Sequence, residues 1–288
     1  KLLECNANRK TKLFVIGGGI AQDIGAYAAA TFKRGIPWIY IPTTLLGQSD
    51  SCVGGKTGLN YKDTKNLIAL FSAPRSVIID PIFNTSLKSK DIYSGHGEIL
   101  RLVLTGGKET FYLYKNLFKQ LSRIDKITSQ DIDIIKQMLR LSLQVKKSVV
   151  EKDEFEINIR KSMNYGHSIG HAIEILANHK IPHGQAVSIG IMIENKIANT
   201  FLGLDEKIVD EIFEIANLIV SNESKKELAK INDMNIVEVM KRDKKVEGKI
   251  LKLATLSDYG IMHFIDFPLN ADSNALIKNC INSIISKI

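Results

Sequence analysis

The chain is poor in cysteine, with three in 288 residues, at positions 5, 52 and 280. They are far apart, odd in number and form no C-x-x-C pair. That excludes a disulfide framework and fits a reducing, cytoplasmic setting. Long apolar runs are missing as well. No stretch approaches the roughly 18 to 20 residues of a membrane span, and the first residues carry no signal-peptide pattern. There is no internal repeat and no low-complexity segment. Aromatic residues make up only 7% and are not interleaved with the basic ones, which argues against nucleic acid as a partner.

What remains is ordinary globular composition, 44% hydrophobic and 24% charged, with length for two domains and a sizeable core. Lys and Arg total 39 against 31 Asp and Glu, a formal charge of +8. One reading is an anionic small-molecule partner such as a phosphorylated metabolite; the other is a Lys-rich compositional habit.

Strand and helix signals alternate at first: strands at Lys12 to Ile16, Trp38 to Ile41 and Ser76 to Ile79, with an Ala-rich helix from Ala21 to Phe32. This predicts an α/β N-terminal nucleotide-binding domain with a parallel sheet. Its glycine turn comes only at Gly17, in a chain that begins at Lys1. Such sheets usually carry more chain before that turn, so the sheet is expected to be partial and the chain N-terminally incomplete. From about Leu87 apolar residues recur at three and four, over Lys90 to Leu104, Ser129 to Val150, Ser162 to Ala177, Gly184 to Phe201 and Asp205 to Ser221. A hairpin around Asp258-Tyr259-Gly260 and a helix from about Asp272 follow. The expected division is an α/β domain over 1–86 and a mostly α-helical metal- and substrate-binding domain over 87–288.

Several motifs carry chemistry. Gly17-Gly18-Gly19 follows a strand and opens a helix, where backbone N–H groups can meet a phosphate; a tight structural turn is the plainer reading. Thr43 and Thr44 lie just past a strand's C-terminal end, either at a ligand crevice or as a helix cap. Gly54-Gly55-Lys56-Thr57 resembles the end of a P-loop, but Ser49 stands where the earlier glycine belongs. That rejects an ATPase while leaving Lys56 as a phosphate grip, with Lys65-Asn66 as a second donor pair. Four of six histidines fall between 167 and 183. His167 and His171 share a helix face, His183 follows a short loop, and Glu98 sits upstream in G-H-G-E-I-L-R. Three imidazoles and a carboxylate suit zinc-type chemistry, and spacing alone does not choose three ligands among the four.

Nine segments occur in order: G-G-G-I-A-Q-D, F-K-R-G, I-P-T-T-L-L, D-S-C-V-G-G-K-T-G, K-N-L-I, G-E-I-L-R, N-Y-G-H-S-I-G-H-A-I-E, H-G-Q-A-V and R-D-K-K-V. Together they resemble the 3-dehydroquinate synthases of the sugar-phosphate cyclase family, over nearly the whole chain. The resemblance implies NAD, one divalent metal (zinc or cobalt), and conversion of 3-deoxy-arabino-heptulosonate 7-phosphate to 3-dehydroquinate with loss of phosphate. In that family NAD oxidises one carbinol and is regenerated, so no net redox change results. Carried over, the metal ligands are Glu98, His167 and His183. His171, Lys56, Asn66 and one of Lys244 or Lys245 lie near the phosphate, with Arg34 reaching it across a homodimer interface. Arg160 and Asn164 hold the substrate carboxylate, and Asp50 and Lys146 its hydroxyls. Gly18, Gly19, Asp23, Thr43, Thr44 and Lys65 fall to NAD.

This chain departs from the family pattern in three places. Arg101 stands where the pattern has Lys. Gln185 replaces a carboxylate that could orient the His183 imidazole. G-L-N-Y-K-D-T-K-N lacks the usual histidine or glycine near its Lys-Asn pair. The alternatives are a cyclase with another sugar phosphate, a metal-dependent polyol dehydrogenase, and a non-catalytic relative.

Overall fold

The computed structural model describes residues 1–62, 64–232, 234–241 and 246–286, with the side chains of 64, 65 and 247 outside that description. The N-terminal part runs β1 (Leu13–Gly17), α1 (Gly19–Thr31), β2 (Trp38–Pro42), β3 (Lys56–Tyr61), β4 (Thr64–Phe71) and β5 (Ser76–Val77). Strands β1, β2 and β5 form a parallel sheet in that order. Helix α1 covers one face, where Val15, Ala26, Ala29, Trp38 and Tyr40 make a small core. Phe14 and Ile16, on the other face of β1, are exposed.

The hairpin β3–β4 lies in a segment, between Ile41 and Ser76, to which the sequence assigns no element. Gly54-Gly55 does not lead into a helix as a P-loop does; it leads Lys56 into an antiparallel strand. Lys62 turns the chain with a left-handed φ of 51°, which neither glycine nor proline announced.

The rest is mostly helical: α2 (Ser89–Gly106), α3 (Lys108–Gln120), α4 (Ile132–Val150), α5 (His167–Leu176), α6 (His183–Leu202), α7 (Glu206–Ile219), α8 (Asn222–Ile231) and α9 (Ile236–Met240). An antiparallel sheet follows, of β6 (Val246–Glu247), β7 (Ile250–Asp258) and β8 (Ile261–Pro268), and then α10 (Ala271–Ile285). These elements share one large apolar core, separate from the small one under α1. Among the described residues no helix is long and apolar enough to cross a membrane. The helix expected over Ser162 to Ala177 is broken: a 3-10 turn ends at Asn164, and Gly166 takes φ 78° before α5 starts.

Helices α2 and α6 are buried on nearly every face, as a helix without a polar side must be. They meet backbone to backbone. A Cβ on Gly97 would lie 2.0 Å from the Gly184 carbonyl oxygen, and one on Gly184 would lie 1.8 Å from that of Ser94. The Gly184 N–H also donates to Ser94 Oγ at 2.8 Å. The same holds between α6 and the start of α5, where a Cβ on Gly190 would lie 2.0 Å from the Gly166 oxygen.

Gly184→Ala must therefore push α2 and α6 apart. We expect it to lose about 1–3 kcal/mol or more in urea unfolding, the usual cost of overpacking. Gly19→Ala, whose added methyl meets nothing within 4 Å, should stay within about 0.5 kcal/mol of wild type. Equal stability of the two variants would contradict the contact.

Candidate active site

Each of three side chains sits beside one of these contact glycines. Glu98 follows Gly97 on α2, His167 follows Gly166 at the head of α5, and His183 precedes Gly184 at the head of α6. The α5 N-terminus is pinned further by Glu194 of α6, which accepts the Gly166 N–H at 2.6 Å. A carboxylate there also complements the helix dipole.

Glu98 Oε2 accepts Arg101 Nε at 2.8 Å. Its Oε1 is buried without a hydrogen-bond partner, 3.1 Å from His183 Nε2 and 3.5 Å from His167 Nε2. His167 Nδ1 lies 3.1 Å from the Tyr165 carbonyl oxygen. A carbonyl only accepts, so Nδ1 carries the proton and Nε2 presents a lone pair. His183 Nδ1 faces Glu174 Oε2 at 3.3 Å, which turns its Nε2 inward in the same way. Glu98 Oε1 and the two Nε2 atoms thus converge. Such a set could hold a divalent metal with positions left open, and a carbonyl and a carboxylate behind imidazoles are the partners that metal-ligating histidines use.

The electrostatics agree. Burial pushes Glu98 up, but Arg101, His167 and His183 hold it well below the carboxylate range. Burial drives His167 well below its ordinary value. His183 resists burial because Glu174 and Glu98 flank it, and is raised to about 9. His171 joins the cluster, its ring 5.2 Å from His167 and 5.4 Å from His183. Ligand atoms of all three imidazoles lie within 4.8 Å of one another. Glu98 Oε1, 3.1 Å from His183 Nε2 and 3.5 Å from His167 Nε2, adds a fourth candidate ligand.

A second group adjoins. Asp50 Oδ1 takes Arg101 Nη2 at 3.1 Å and Lys146 Nζ at 2.7 Å. Lys56 Nζ pairs with Glu156 at 2.5 Å, and Asn164 Nδ2 donates to the same carboxylate at 3.2 Å. Arg160 donates to the carbonyl oxygens of Gly54, at 3.0 Å, and of Glu154. Burial lowers the Lys56 pKa, against the opposing pull of Glu156. Lys56 and Asn164 thus hold the Glu156 carboxylate, whose charge Arg160 also feels.

At the strand ends, Gly18 lies against Thr44, and the Thr43 N–H donates to Gly17 O at 3.0 Å. Thr44 Oγ1 accepts the Gly47 N–H at 3.1 Å, so it also acts as the cap foreseen as its plainer role. Asp23 ties α1 to β3, accepting from Thr57 Oγ1 and Gly58 N at 3.1 Å each. Gly19 opens α1. Asn66, exposed on β4 with φ 51°, donates its N–H to Asn60. Arg34 lies apart from the cluster, lining a cavity of about 450 Å³ with Asn8, Arg9 and Lys33. The Lys65 side chain, Lys244 and Lys245 fall outside the described residues.

Gln185 does not bear on the His183 imidazole. Two residues along α6 it faces another way, and its Oε1 accepts the Ser221 N–H at 2.9 Å. Glu174 is the carboxylate behind His183. The pattern contained it: His167, His171 and Glu174 stand at i, i+4 and i+7, one helix face. Glu156, in an acidic loop, had no such signal.

Residues 1–94 match the family described as 3-dehydroquinate synthase N-terminal, and residues 95–246 the one described as 3-dehydroquinate synthase C-terminal. The chain belongs to the 3-dehydroquinate synthase family. It is 37% identical over 282 residues to a 3-dehydroquinate synthase of Streptococcus pyogenes serotype M6, covering 96% of this chain and 74% of that protein. To one of Pelagibacter ubique it is 38% identical over 266 residues, 90% of this chain and 70% of that one. A solved 2-deoxy-scyllo-inosose synthase, complexed with carbaglucose-6-phosphate, NAD+ and Co2+, superposes with a TM-score of 0.81 at 25% identity, covering 98% of this chain and 76% of that one.

Glu174→Gln weakens the hold on the His183 Nδ1 proton. We expect zinc affinity to fall about 10- to 100-fold, read by chelator competition, with the fold retained by circular dichroism. Unchanged affinity would deny Glu174 its orienting part.

Proposed function

We propose that this chain is a 3-dehydroquinate synthase, a carbon–oxygen lyase that converts 3-deoxy-arabino-heptulosonate 7-phosphate to 3-dehydroquinate and phosphate. The observation that carries the reading is the convergence of Glu98 Oε1, His167 Nε2 and His183 Nε2, with the Asp50–Lys146 pair joined to it through Arg101 and Lys56 and Arg160 both within the electrostatic reach of Glu156. NAD and one divalent metal, zinc or cobalt, are its cofactors. When bound, NAD takes up and returns a hydride, and the metal polarises a substrate oxygen.

The chain's own residues bind and orient. Arg160 and Asn164 take the substrate carboxylate, a role for which Asn164's contact with the Glu156 carboxylate is a chemical precedent. Lys56, Asn66, His171 and Lys244 or Lys245 take the phosphate, with Arg34 reaching in from a second copy in a homodimer. Asp50 and Lys146 fix hydroxyls, their charges already paired with each other. Residues 1–86 carry the NAD side through Gly18, Gly19, Asp23, Thr43, Thr44 and Lys65, and 87–288 the metal and substrate. The substrate is anionic at two ends, which gives the basic balance of the chain a local purpose. A cytoplasmic setting fits a chain whose three cysteines are free.

A second reading, a cyclase acting on another sugar phosphate, draws on Arg101 in place of Lys. The likeness to a 2-deoxy-scyllo-inosose synthase supports it equally. Arg160 and Asn164 favour the carboxylate-bearing substrate.

The test is phosphate release from the heptulosonate phosphate, with NAD and zinc or cobalt, while following NADH. Phosphate without accumulating NADH is expected. No release despite bound metal and NAD would move the substrate to another sugar phosphate, and net NADH would indicate a dehydrogenase. Arg160→Ala should raise KM about 10- to 100-fold, the loss of a charge-assisted hydrogen bond, with NAD affinity unchanged. Equal loss of both would point to misfolding.

A further inference from the structure

Arg101 lies one turn after Glu98 on α2 and is 3% exposed. Each of its three nitrogens is committed to a protein acceptor. Nε donates to Glu98 Oε2 at 2.8 Å, Nη2 to Asp50 Oδ1 at 3.1 Å, and Nη1 to the Met163 carbonyl oxygen at 2.9 Å. A guanidinium holds these directions rigidly, whereas a lysine has one nitrogen on a flexible stem and cannot span all three. The terminal torsion of a glutamate is soft. With Oε2 taken by Arg101, only Oε1 is turned toward His167 and His183. Asp50, whose Oδ1 is shared between Arg101 and Lys146, is tied to the same fork.

We propose that Arg101 is a positioning residue that does not contact substrate: it locks Glu98 into ligation through a single oxygen and couples that carboxylate to Asp50. This rests on reading Glu98, His167 and His183 as the metal ligands. The residue that departs from the family pattern thus rigidifies the ligand set from behind.

The experiment compares metal-free wild type, Arg101→Lys and Arg101→Met. Zinc affinity is measured by chelator competition, the visible spectrum is recorded after loading with cobalt, and thermal midpoints are followed in parallel. Zinc affinity should fall about 10- to 100-fold in both variants, as for loss of a partner behind a ligand. The cobalt band should weaken as the released carboxylate swings its second oxygen onto the ion and raises the coordination number. A purely structural role would change the midpoint and leave the spectrum alone. Arg101→Met strands two carboxylates, so should it fail to fold, Arg101→Lys, which keeps a positive charge, decides. A folded Arg101→Lys with unchanged zinc affinity and cobalt band overturns the proposal. Wild type that takes up no zinc overturns the metal-site reading along with it, a different result from the first.

Discussion

Everything at this site depends on how closely three helices approach. Leucine-sized side chains between helices hold their axes about 8–10 Å apart. Here glycines let α6 touch α2 at Gly97 and Gly184, and touch the head of α5 at Gly166 and Gly190. Glu98, His167 and His183 are the immediate sequence neighbours of those glycines. Backbone contact therefore dictates where their side chains meet, and no long or flexible segment intervenes. The large apolar core around α2 and α6 makes the arrangement stiff, since close-packed interiors do not yield gradually.

Such closeness forces charge into a dry place. The structure answers with alternating signs: Lys146, Asp50, Arg101, Glu98, His183 and Glu174 follow one another in direct contact. Each member offsets the desolvation of the next, and removing one would strand its neighbours. The chain of contacts has one weak link. Glu98 Oε1, between two imidazoles, has no hydrogen bond of its own. It is the point at which a bound divalent cation would complete the alternation of charge.

Much of this was legible in the sequence because periodicity records burial. The strands at 12–16, 38–41 and 76–79, the late hairpin and the long helices other than the one expected over 162–177 lie within a few residues of their observed ends. H-x-x-x-H on one helix face, with His183 returning after a short loop, was legible because i to i+4 spacing is geometric. The hairpin β3–β4 was hidden because Gly54-Gly55-Lys56 imitates a phosphate loop and its turn falls at Lys62, an ordinary lysine with positive φ. The helices α3, α8 and α9 went unread, the last only five residues long. Gln185 drew attention through its neighbour His183, yet two residues along a helix is the far side. Glu156 was invisible because only tertiary contact brings it to Lys56 and Asn164.

The central claim is the identity of the ligand set, and anomalous scattering at the zinc edge from crystals of zinc-loaded protein tests it most directly. A single peak within bonding distance of Glu98 Oε1, His167 Nε2 and His183 Nε2, with His171 outside the first sphere, is the predicted result. A peak held by the three imidazoles with Glu98 left on Arg101 alone, or no peak at this site, would contradict the account.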